Sequence, residues 1–72
     1  MNRINPDKLL QSKWTAVSPR ERERHFIVTR LIRDEQDEHV VEVVLQAVLT
    51  RRDYTLAWRE LKADDVWQMG WK

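Results

Sequence analysis

Cysteine is absent from this chain, glycine appears once and proline twice. Without cysteine there is neither a disulfide frame nor a thiolate metal site, so 72 residues must hold together by packing alone. A single glycine cannot build a phosphate-cradling loop. The only two histidines, His25 and His39, fall short of the three or four convergent ligands a metal needs. They flank a predicted hairpin, and antiparallel pairing is the one route that would unite them with Glu23 or Glu42. No segment reaches the roughly 18 consecutive apolar residues of a membrane span. Residues 1–10 also lack the charged-then-apolar layout of a secretory leader. The expectation is one soluble cytoplasmic domain over residues 1–72, with no membrane, no metal and no cofactor.

Charge of either sign is scarcely in excess, the formal net charge being +1. Its distribution is uneven. Residues 1–33 hold eight Lys or Arg against three acidic residues, whereas residues 34–72 hold five against nine. Such polarity steers charged partners or makes copies associate head to tail, although in a small fold the two halves interleave. The conspicuous presence is tryptophan: Trp14, Trp58, Trp67 and Trp71. Tryptophan offers the largest apolar area and one N–H that needs a partner when buried.

Along the chain, Asn5 before Pro6 reads as a cap and the first position of a single helical turn. Residues 13–17 read as a strand closed by Ser18-Pro19. The alternating charges of Arg20 to Arg24 read as a solvated connection. Residues 26–33 are rich in β-branched side chains and read as a second strand, followed by an acidic loop at residues 34–38. Residues 40–49 fit a helical stripe and also a strand buried on both faces; five valines favour the strand. Residues 51–53 form a tight connection, after which Tyr54, Leu56 and Trp58 alternate with Thr55 and Ala57 in strand period. A short helical turn is expected between Arg59 and Trp67, and Gly70 marks a turning chain. The predicted fold is α+β but mainly β. About four antiparallel strands form a meander, a small roll or half-open barrel, with short helical turns near the termini.

The blocks Lys8-Leu9-Leu10-x-Ser12-Lys13-Trp14-Thr15-Ala16-Val17-x-Pro19, His25-Phe26-x-Val28, Ala47-Val48, Trp58-Arg59-Glu60-Leu61-Lys62 and Trp67-x-x-Gly70-Trp71 occur in this order. Together they resemble the small bacterial tryptophan-rich family of unknown function, from about residue 5 to residue 72. The resemblance implies membership and a bacterial cytoplasmic setting, and it brings no activity, ligand or catalytic residue. One departure is Ala63, where an acidic residue often follows Leu-Lys in similar chains; Asp64 stands one place later.

Catalysis has no evident machinery here. Ser12 and Ser18 have no His–acid partnership, and the paired carboxylates Asp64-Asp65 and Glu35-Glu38 sit in turns where capping and solvation account for them. The expectation is therefore a non-catalytic binding module. Trp14 and Trp58, inside strand patterns, are assigned to the core. Trp67 and Trp71, with neighbouring Arg59, are the candidate contact residues for an unidentified protein partner or a second copy. The apolar strand at residues 40–49 would serve self-association if it lay at an open edge. The alternative is nucleic-acid binding through Arg20, Arg22, Arg24, Arg51 and Arg52 beside an exposed aromatic. Against that alternative stand the near-zero net charge and the interleaved Glu21 and Glu23.

Overall fold

A computed structural model describes all residues, 1–72. Five strands follow one another as β1 (Lys13–Arg20), β2 (Glu23–Arg33), β3 (Val40–Ala47), β4 (Asp53–Ala57) and β5 (Trp67–Met69). They pair antiparallel in the spatial order β4-β3-β2-β1-β5. Two 3-10 turns, Pro6–Lys8 and Trp58–Lys62, complete the chain. Asn5 caps the first, its side-chain oxygen accepting from the Asp7 N–H at 3.2 Å. No helix is long and apolar enough to cross a membrane.

The first four strands are the expected meander, and the valine-rich segment is its third strand. Its position between β2 and β4 explains the valines: Val40, Val43 and Leu45 are buried, while Val44 packs half-buried on the other face. The roll is realised as an open sheet with β4 and β5 at its edges. Cross-strand neighbours on one face are Trp14 with Phe26, Phe26 with Ala47, and Val28 with Leu45. Beyond Val28 the register shifts, Arg30 standing opposite Val44 and Leu31 opposite Val43. Thr29 is therefore an extra residue, and this bulge returns Leu31 to the face of Val28. Leu9, just after the first 3-10 turn, and Leu61, within the second, join Trp14, Phe26, Val28, Val40, Val43, Leu45 and Ala47 in the core.

Two sequence expectations are corrected. Trp58 does not continue β4; it begins the second 3-10 turn and stays half-buried, with the Lys62 ammonium 4.9 Å and the Arg59 guanidinium 5.5 Å from its ring centre. The strand period runs on to Trp58, but the Glu60 carboxylate captures the Ala57 N–H at 3.2 Å and turns the chain there. Arg20 to Arg24 is not a solvated connection. Arg20 ends β1, Glu23 begins β2 opposite it, and the turn is only Glu21-Arg22, with φ of 53° and 66°. Two positive φ values make a type I′ hairpin turn, a geometry that favours Asn-Gly and carries a steric cost for Glu and Arg.

The C-terminal strand is fastened from several directions. Asn2 donates through Nδ2 to the carbonyls of Leu61 (2.8 Å) and Trp67 (2.9 Å). Buried Thr15 donates to the Gly70 carbonyl at 2.7 Å and accepts from the Lys72 N–H at 2.9 Å. Gly70 adopts φ +80°, a conformation that sends Trp71 across the edge of the sheet.

Candidate functional site

All five strands contribute to one open groove of about 1000 Å³, so the sheet curls around it. Ala16, Phe26, Leu45, Leu56 and Trp67 give an apolar floor, with Tyr54 at its side. The floor is aromatic at its centre: the rings of Phe26 and Trp67 meet edge-on at 5.2 Å, and those of Phe26 and Tyr54 at 6.1 Å. Around it stand four carboxylates, Glu21, Glu23, Glu60 and Asp65, against one lining guanidinium, Arg20.

The carboxylates are not equivalent. Glu23 is only 5% exposed and accepts from the hydroxyls of Thr50 and Tyr54, which come from the β3–β4 side of the sheet. Glu21 pairs with Arg52 at 2.6 Å. These bonds tie the β1–β2 hairpin to the next connection. Glu23 forms no ion pair but has two hydroxyl donors and Arg52 nearby, whereas Glu60 and Asp65 have neither an ion pair nor a hydroxyl donor.

The Thr50 hydroxyl, followed by that of Tyr54, holds the Glu23 carboxyl below the ordinary glutamate value, with Arg52 helping and burial opposing. The same contact raises the Tyr54 phenol, because ionising it would set two negative charges together. Since folding lowers the Glu23 pKa, its ionised form stabilises the fold at pH above the ordinary value of about 4.3. That contribution is lost as the pH falls through the lower folded value. Glu23→Gln should therefore melt at a lower temperature than the parent at pH 7. The difference should shrink steadily below about pH 4, as followed by circular dichroism. A constant difference across that range would refute the assignment.

The sequence-derived candidates separate in space. Trp67 lies half-buried in the groove floor. Trp71, 43% exposed, lies on the opposite face, where its ring centre is 6.0 Å from that of His25 and 4.8 Å from the Lys13 ammonium. Its Nε1 donates to the Phe26 carbonyl at 2.9 Å. Arg59 rests on Trp58 and joins neither aromatic group. The five arginines fare differently. Arg20, Arg22 and Arg24 in the first hairpin and Arg51 and Arg52 in the β3–β4 connection reach the same end of the sheet, all exposed, with Tyr54 beside them. His25 and His39 stand at opposite ends of the β2–β3 pair, since antiparallel pairing sets Phe26 against Ala47 and Arg33 against Val40.

The sequence names Glu23 only as a possible metal ligand and Asp65 only as half of a solvated pair, and assigns neither them nor Tyr54 and Glu60 to a binding site. Tyr54 carried a usable signal, because its period with Leu56 turns its hydroxyl inward, where it needs an acceptor.

Two comparisons with known proteins found nothing: no curated protein and no solved structure matches the chain. A scan of family models does match. The family described as "Tryptophan-rich protein (DUF2389)" covers residues 12–72, which includes every strand and the whole groove.

Proposed function

The chain belongs to the tryptophan-rich protein family DUF2389, and from that premise we propose that it is a non-catalytic binding module whose groove receives a segment of a protein partner. The observation that carries this reading is the split between core and groove. Trp14 is 1% exposed and closes the core, whereas Trp67 floors an open hollow beside Phe26 and Leu56. An aromatic anchor on the apolar floor of a concave site, within a polar rim, is the usual make-up of a binding hot spot. Trp71 is a separate feature of the other face and is no part of this contact.

The test is photo-crosslinking in cells from benzoylphenylalanine placed at Val66, which lines the groove and is 47% exposed. A discrete protein adduct is expected from Val66 and not from Arg30, exposed on the other face. Trp67→Ala should reduce that adduct about tenfold or more. No protein adduct from Val66 would end the reading.

A second reading, nucleic-acid binding, is favoured by the meeting of the five arginines beside Tyr54. Glu21 and Glu23 lie among them, and Glu21 already occupies Arg52. Nucleic-acid adducts from the arginine end, weakened by reversing Arg51 and Arg52, would move the site there.

A further inference from the structure

The groove's position at a strand edge says more about what it takes, on the premise that it binds a partner segment. Three consecutive residues of β4, Tyr54, Thr55 and Leu56, line it. Consecutive strand residues point to opposite faces, so a hollow touching all three must include the edge of the strand itself. That edge is unpaired, because β4 ends the sheet. The Ala47 N–H donates to the Arg52 carbonyl at 2.9 Å, and Leu45 stands opposite Tyr54 with Val43 opposite Leu56. Antiparallel alternation then directs the N–H and C=O groups of Asp53, Thr55 and Ala57 outward. The Glu60 carboxylate on the Ala57 N–H agrees with this phase and shields one of the three positions. Of the remaining two, Thr55 lines the groove and Asp53 does not, so Thr55 is the open ladder position within it.

Charge identifies the occupant. The hollow that includes this edge is also lined by Trp67 and by Glu60 and Asp65, two carboxylates with neither an ion-pair partner nor a hydroxyl donor. A carboxylate pair next to an aromatic ring suits a lysine ammonium or an arginine guanidinium, which gains both ion pairing and a cation–π contact. We propose that the groove accepts an extended, basic peptide segment that joins β4 as a sixth strand, its backbone pairing at Thr55 and its cationic side chains meeting Glu60, Asp65 and Trp67. Backbone pairing supplies affinity with little sequence preference, and alternate side chains entering the groove supply selection.

The test uses the whole chain, labelled with nitrogen-15, and the probe peptide acetyl-Lys-Val-Arg-Val-Lys-amide, with a glutamate-for-lysine-and-arginine version as control. The basic peptide is expected to shift the Trp67 indole and Thr55 amide signals and to slow hydrogen exchange at Thr55. The acidic control should do neither. Combining Glu60→Gln with Asp65→Asn should weaken binding about fivefold, the sum of two exposed pairs. The side-chain amide introduced by Glu60→Gln still offers the Ala57 N–H an acceptor. Thr55→Pro should abolish binding and keep the fold, since an outward N–H on an edge strand is dispensable. Should that variant unfold, the Thr55 exchange rate decides instead.

Equal binding of both peptides would overturn the basic partner. Shifts at Trp67 without slowed exchange at Thr55 would overturn strand addition, and no binding would overturn both. The groove reading fails separately: it falls only if crosslinking from Val66 yields no protein. A crosslinked partner whose contacting segment lacks Lys and Arg would leave that reading standing and end this one.

Discussion

Trp14→Ala should lose about 4 kcal/mol of folding free energy, the middle of the range for an aromatic truncated inside a core. A chain of 72 residues has roughly 4–10 kcal/mol in all, so the variant sits at or near the unfolding threshold at 25 °C. Three features make this position so costly. The side chain is 1% exposed, and its Nε1 donates to the Ser12 hydroxyl at 2.8 Å, so its polar atom is satisfied as well as its apolar surface. Trp14 is also the only tryptophan with strands on both sides, standing opposite Phe26 in β2 and Met69 in β5. Its removal loosens the junction between the meander and the C-terminal strand. Trp71→Ala should cost less than half as much, because its ring is 43% exposed on the opposite face. Urea unfolding of both variants, followed by circular dichroism, makes the comparison. Equal losses would mean that Trp71 belongs to the core in spite of its exposure.

The contrast between these tryptophans also measures what the sequence disclosed. Trp14 is legible as core because it lies in a β-patterned segment. Trp58 follows an equally clear alternation, yet β4 stops at Ala57 when Glu60 reaches back to its N–H. A local side-chain bond outweighs propensity there, and such a bond is not periodic. The third strand was legible from its valines, since β-branched side chains suit a pleated surface in the centre of a sheet. The first hairpin was not, because Glu21-Arg22 is a poor match to a type I′ turn. Bonds from distant residues, Arg52 to Glu21 and Thr50 and Tyr54 to Glu23, hold that turn in place. The groove shared this fate. Its floor joins Ala16, Phe26, Leu45, Leu56 and Trp67 from five strands, and no window of sequence contains that register. The arginine end was partly legible, because the two connections it uses are both turns at one end of a meander.

Leu61→Ala should cost about 3 kcal/mol, within the usual range for a leucine removed from a core. Leu61 is 0% exposed and is the only buried residue of the second 3-10 turn. That turn spans from β4 to β5, the two edges of the open sheet, and it carries Glu60 on the wall of the groove. Its own hydrogen bonds are few, so the buried leucine and the Asn2 bond to the Leu61 carbonyl fix its place. Losing the leucine should therefore act locally before it acts globally. Amide hydrogen exchange should show residues 58–71 losing protection while β2 and β3 keep theirs, the pattern of a sub-global opening. Binding in the groove should weaken along with it, because the distance between the two edges is no longer held. Uniform loss of protection across all five strands would mean that the turn and the sheet unfold as one unit. In that event the groove would be as rigid as the core beneath it.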